Sequence, residues 1–268
     1  MEYRELGATG VMIPEVGLGT WKYRGGPEPL RRGIELGATL IDTAEMYRTE
    51  DAVGQAIRGI RDRVFVATKV LGSNLRYDQV LRAAEKSLNL LNDDVIDLYQ
   101  IHWPSRSVPI AETMRAMETL VDRGMARYIG VSNFSVAELR EAQAAMSRYP
   151  IVCNQVLYNL KRRRIERDLI PYCQENRITV MAYTPLADGS LAARPRLRAG
   201  REWETLESVA REAGRTPAQV ALNWCLTREP VVVIPKTNSV ARTEENCGAS
   251  GWRLTDAQAS RLEAAFPV

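Results

Sequence analysis

Gly17-Leu18-Gly19-Thr20-Trp21-Lys22 forms the first strand-to-helix turn of this chain, and its glycine spacing decides between two architectures. An open, doubly wound sheet that held a dinucleotide would carry G-x-G-x-x-G at this turn, because the third glycine lets the helix pack closely on the strand. Here Lys22 stands in that place. Outward from the turn, short apolar or β-branched runs recur at 16–19, 39–42, 64–69, 95–102, 126–132, 151–155, 179–183 and 231–235. Between them lie segments with helical spacing: Val80, Ala84, Leu88 and Leu91 share one face, and Met114, Met117 and Val121 share another. Strand and helix alternating in this way over about 250 residues predict an α/β fold, a closed (β/α)8 TIM barrel. An N-terminal β-hairpin over 3–14, turning at Gly7 and Gly10, precedes it. Ser135-x-x-Glu138, Thr216-Pro217-x-Gln219 and Thr255-x-x-Gln258 read as capping boxes, the last opening an extra C-terminal helix that ends near Phe266. No linker or composition shift divides the chain, so residues 1–268 read as one domain.

Composition removes several classes of function. With 45% hydrophobic residues the chain can bury a core, which excludes a disordered protein. No apolar stretch is long enough for a membrane span. Met1-Glu2-Tyr3-Arg4-Glu5 is charged and lacks an apolar signal core, so the expected location is cytoplasmic. The net charge of +3 is spread along the chain, and only Lys161-Arg162-Arg163-Arg164 resembles a basic patch; a solvated loop explains it, and no nucleic-acid partner is expected. Cys153, Cys173, Cys225 and Cys247 are too dispersed for a zinc knuckle or a disulfide framework. A single histidine, His102, excludes His-rich metal sites, and no metal is expected. Only five of the 36 basic residues are lysines, which singles out any lysine in a chemically awkward place.

In a barrel of this kind the carboxyl ends of the strands build the active site. Three consecutive predicted strands end on an ionisable residue: 39–42 on Asp42, 64–69 on Lys69 and 95–102 on His102. Tyr47 follows in the loop after Asp42. A buried lysine needs a partner, and Asp42 on the neighbouring strand supplies the opposite charge. Cationic Lys69 beside the Tyr47 phenol is expected to lower a pKa that starts near 10, giving a proton donor tuned toward neutral pH. His102 can donate a hydrogen bond to the same carbonyl oxygen and stabilise its developing charge.

The chain resembles the aldo-keto reductases over essentially its whole length. The resemblance is carried by Gly17-Leu18-Gly19-Thr20-Trp21, Leu40-Ile41-Asp42-Thr43-Ala44-Glu45-Met46-Tyr47, Ala67-Thr68-Lys69 and Gln100-Ile101-His102-Trp103-Pro104. It continues through Ile129-Gly130-Val131-Ser132-Asn133-Phe134, Asn154-Gln155, Ala182-Tyr183-Thr184-Pro185-Leu186 and Ile234-Pro235-Lys236-Thr237 with Arg242, Glu245 and Asn246. It implies a barrel that binds NADP(H) and reduces aldehydes and ketones by direct hydride transfer. The implied catalytic set is Asp42, Tyr47, Lys69 and His102, with Tyr47 as general acid in reduction. The implied cofactor residues are Asp42, Thr20 near the nicotinamide ribose, and Ser132, Asn133 and Gln155 on the carboxamide. Tyr183 would stack on the ring with Leu186 beyond it. Lys236, Thr237, Asn238 and Arg242 would take the 2′-phosphate, which favours NADPH over NADH, and Glu245 and Asn246 would meet the adenine. Trp21 and Trp103, with Tyr47 and His102, are expected to contact a small-molecule carbonyl substrate, in an open pocket because 104–109 is short. A monomer is the default the resemblance implies.

The Arg-rich segment 186–203 (Arg194, Arg196, Arg198, Arg201) supports two readings equally, a cover for the cofactor's pyrophosphate or an exposed loop. Lys69 as a Schiff-base nucleophile requires a neutral amine, which Asp42 opposes. A catalytically silent, regulatory cofactor-binding barrel is opposed by the complete set of four polar residues.

Overall fold

The computed structural model describes residues 1–194 and 200–267. A hairpin of β1 (Tyr3–Glu5) and β2 (Met12–Pro14) precedes eight strands, β3 (Leu18–Gly19), β4 (Leu40–Asp42), β5 (Phe65–Val70), β6 (Ile96–Ile101), β7 (Ala126–Ser132), β8 (Ile151–Leu157), β9 (Thr179–Tyr183) and β10 (Val231–Val233). The eight are paired in parallel and in sequence order. Val16 and Gly19 bridge in parallel to Val233 and Lys236, joining the first strand to the last and closing the barrel. Gly19 is required at that seam: a Cβ there would lie 2.6 Å from the carbonyl oxygen of Ile234.

Helices α1 (Pro27–Glu35), α2 (Glu50–Ile57), α3 (Tyr77–Leu91), α4 (Ile110–Asp122), α5 (Val136–Ala145) and α6 (Leu169–Glu175) follow the first six strands in turn. Two helices, α7 (Arg201–Ala213) and α8 (Pro217–Leu226), follow the seventh. α9 (Val240–Cys247) follows the eighth, and α10 (Asp256–Ala265) is the added C-terminal helix. The three sequence-predicted capping boxes are all formed, at Ser135, Thr216 and Thr255. α7 was not expected; it opens within the Arg-rich segment, of which Arg194 and Arg201 are exposed and Arg196 and Arg198 lie outside the described residues.

Side-chain alternation builds two cores from one sheet. Ile41, Val66, Tyr99, Ile101 and Val131 face the helices. Leu40, Ala67, Leu98, Cys153, Met181 and Val232 face inward, joined from below by Leu6 and Ile13, so the hairpin plugs the amino end of the barrel. Two residues further along the same inward faces stand Asp42, Lys69, Gln100, Gln155, Tyr183 and Ile234, and His102 lies two beyond Gln100. The strand period therefore turns an apolar floor into a largely polar rim.

Candidate active site

At that rim a cavity of about 580 Å³ opens, walled by Thr20, Trp21, Asp42, Tyr47, His102 and Trp103 on one side and by Ser132, Asn133, Gln155, Tyr183, Leu186, residues 234–237, Arg242, Glu245 and Asn246 on the other. A second cleft of about 720 Å³ lies at the opposite end beneath the hairpin, among Arg4, Glu5, Arg177 and Arg253, and the four polar residues singled out by sequence do not line it.

Lys69 is fully buried, and its ammonium spends all three protons. Nζ lies 2.8 Å from both carboxylate oxygens of Asp42, 2.8 Å from the carbonyl oxygen of Thr43 and 3.3 Å from the hydroxyl of Tyr47. Burial, the largest influence, pushes the Lys69 pKa down, but Asp42 and then Tyr47 outweigh it and hold the group above its ordinary value. Lys69 is therefore an ammonium, and a Schiff-base role for it is contradicted. The expected lowering of the Tyr47 pKa is not met. Burial raises it first and the Asp42 charge raises it further, and the attraction of Lys69 does not offset the two. Tyr47 therefore stays a protonated phenol, because burial outweighs the attraction of the Lys69 ammonium.

The Tyr47 ring packs between Trp21, at 4.9 Å between centroids, and His102, at 5.4 Å edge-on. Burial and then the Lys69 charge push His102 down to about 4, so its imidazole is neutral. Among the described residues its Nδ1 is sealed without a partner, and its Nε2, which is not among the buried unpaired atoms, makes no protein hydrogen bond. Trp21 and Trp103, 45% and 49% exposed, stand open at the mouth, and the loop between β6 and α4 is too short to cover them.

The far wall is tied together from within. Gln155 Nε2 donates to Asp42 at 2.7 Å, leaving Oε1 buried and unpaired. Ser132 donates to the Gln155 carbonyl, and Tyr183 donates to Asn133 Oδ1 at 2.9 Å. The Asn133 amide is engaged by the His102 carbonyl and Ser132 Oγ, so it braces the wall. Thr20 donates to the Asp42 carbonyl. Lys236, Thr237, Arg242, Glu245 and Asn246 line the cavity's other end. Asn238 is outside the cavity lining; its Oδ1 accepts the backbone N–H of Arg24. Leu186 lines the wall after Thr184, whose φ of 52° is in the left-handed region; Lys22, Asn133, Ala187 and Asp188 share that region around the same rim.

Lys22 and Arg24, outside the residues the sequence singles out, join Lys236 here. The Lys236 pKa is lowered by burial, then by Arg24 and Lys22, so three cations crowd one corner. Lysine scarcity carried the signal: Lys22, Lys69 and Lys236 are three of only five lysines in the chain. A row of cations at one end and an unpaired amide oxygen with an aromatic ring at the other suit an anionic, extended ligand with a carboxamide-bearing ring.

The model of the aldo/keto reductase family matches residues 15–266. The chain is 39% identical to methylglyoxal reductase YeaE of Escherichia coli over 96% of this chain and 93% of that relative. Among solved structures, the thermostable aldo-keto reductase Tm1743 with the inhibitor epalrestat superposes with a TM-score of 0.91 at 40% identity, covering 99% of this chain and all of that one. An aldo/keto reductase from Klebsiella pneumoniae in complex with NADP and acetate superposes with a TM-score of 0.88 at 37% identity, over 99% and 95% of the two chains.

Proposed function

The chain belongs to the aldo/keto reductase family, and on that premise we propose that it reduces small aldehydes and ketones with NADPH at the cavity beside Tyr47. The observation that carries this reading is the Lys69 ammonium 3.3 Å from the Tyr47 hydroxyl and clamped by both oxygens of Asp42. Thr20, Ser132, Asn133, Gln155, Tyr183 and Leu186 would hold the nicotinamide end. Lys236, Thr237 and Arg242, joined by Lys22 and Arg24, would hold the phosphates, with Glu245 and Asn246 at the adenine. Bound NADPH supplies the hydride. Tyr47 gives its phenolic proton to the carbonyl oxygen as negative charge develops there. Lys69 stabilises the phenolate left behind, and Asp42 keeps Lys69 charged and in place. His102 directs an N–H at the same oxygen and fixes the substrate's approach. Trp21, Met46 and Trp103 give the mouth an apolar wall, suited to the uncharged part of the substrate.

Methylglyoxal, named for the Escherichia coli relative, is the first compound to test. We read the enzyme as a monomeric, cytoplasmic, single-domain protein. The single-domain reading is supported by even composition along the chain; among the described residues no helix is long and apolar enough to cross a membrane. The test is carbonyl-dependent loss of NADPH absorbance over a panel of dicarbonyls, aromatic aldehydes and sugar aldehydes. Turnover with at least one class is expected, and NADPH binding without turnover on any would favour a regulatory barrel. Lys236→Ala and Arg242→Ala should each raise the KM for NADPH about tenfold or more, the worth of a charge-assisted hydrogen bond. NADH use should change by no more than about twofold, and full retention of cofactor discrimination in both would overturn the phosphate assignment.

A further inference from the structure

We propose that Gln100 is a positioning residue which, through one bound water, holds the only histidine of the chain with its proton on Nε2. The inference rests on the reading that His102 donates to the carbonyl oxygen, and it comes from accounting for the ammonium and amide donors of the polar layer. A neutral imidazole carries one N–H, so Nε2 can donate into the cavity only if Nδ1 is a bare acceptor. Nδ1 is the sealed nitrogen, and a sealed acceptor needs a donor. The neighbouring ammonium and amide donors are committed, and the Tyr47 hydroxyl is the group read as giving its proton to the carbonyl oxygen. Lys69 gives its protons to Asp42, Thr43 and Tyr47. The Gln155 amide gives its two to Asp42 and the sulfur of Met181. The Asn133 amide gives its two to the His102 carbonyl and Ser132.

Gln100 remains. It is 0% exposed, and among the described residues neither its Nε2 nor its Oε1 has a protein partner. It lies two residues before His102 on the inward face of its strand, about 6.6 Å lower. It stands opposite Gly130 on the next strand, where a Cβ would come within 3.0 Å of the Gln100 side chain. The sequence thus makes room for an amide in a barrel interior that is apolar one layer below. A buried amide and a buried imidazole nitrogen on one face, both unpaired, are the polar partners that retain an internal water. That water takes a hydrogen bond from Gln100 and donates to Nδ1.

The single histidine makes the test direct. In protein labelled with 15N-histidine, the NADP complex gives one imidazole spin system, and the one-bond N–H coupling identifies the protonated nitrogen. The proton is expected on Nε2 in the wild type. Gln100→Met keeps the length and apolar bulk while removing the amide; there the tautomers should mix or invert, with kcat/KM for the carbonyl falling about tenfold to a hundredfold and the NADPH Kd unchanged. A wild-type complex protonated on Nδ1 would overturn the proposal without any variant being made. An unchanged tautomer in Gln100→Met would overturn it as well. A shifted tautomer with unchanged turnover would support the positioning role and instead overturn the part assigned to His102 in the chemistry, so the two readings fail separately.

Discussion

At the scale of the residue, the Tyr47 proton is governed by burial more than by its cationic neighbour. Because its pKa is raised above an ordinary value of about 10, the phenol is the dominant form throughout the neutral range. Carbonyl reduction should therefore hold a flat kcat/KM from about pH 6 to 9 and decline only in stronger alkali, while alcohol oxidation, which needs the phenolate, should climb with pH over the same interval. His102, pushed down to about 4, should leave no inflection near its usual value of about 6.5. Paired pH–rate profiles in the two directions check this, and an inflection near neutrality in reduction would contradict it. Lys69 and Asp42 form a fully desolvated pair, so Lys69→Met should lower the urea-derived stability by about 3–5 kcal/mol, and Asp42→Leu with Lys69→Met should recover most of that loss. Asp42, Lys69 and His102 were legible in the sequence because each lies at or just beyond a strand end, where an ionisable group interrupts an apolar pattern, and Tyr47 because it follows in the loop after Asp42. The direction of the Tyr47 shift was not, since it depends on how deeply the ring is covered and on what else Lys69 touches. Lys22 and Arg24 were missed for a related reason: only the closed barrel brings their loop beside Lys236.

At the scale of the element, strand and helix positions followed from periodicity, while their ends moved. The run 231–235 forms regular strand only to Val233, although Pro235 still accepts a hydrogen bond from Gly19. The run 151–155 continues to Leu157 because its neighbour β9 offers partners as far as Tyr183. The helix over Arg201–Ala213 was hidden by an arginine-rich approach that gave no cap to read. The Gly17–Lys22 turn was read by what it lacks. Its structure shows what Gly19 is for, since β3 and β10 meet there with no space for a methyl group. Gly19→Ala should cost about 1–3 kcal/mol by forcing the barrel seam apart. It should also weaken NADPH binding, because Thr20 and Lys236 flank that seam. Urea titration and cofactor fluorescence titration check both effects, and a variant as stable as the wild type would show that the seam yields.

At the scale of the whole molecule, one sheet does two jobs. Its lower inward layer, with Leu6 and Ile13 of the hairpin, is a packed apolar plug. Its upper layer gathers charge and hydrogen bonds around a cavity of about 580 Å³. The central claim is that Tyr47 delivers the proton to the carbonyl oxygen there. Its most direct test is the single-turnover rate of NADPH oxidation in Tyr47→Phe, measured with saturating carbonyl and alongside the NADPH Kd. The account predicts a rate lower by about a hundredfold to ten-thousandfold, with cofactor affinity within about twofold of wild type; a rate within a few-fold of wild type would contradict it.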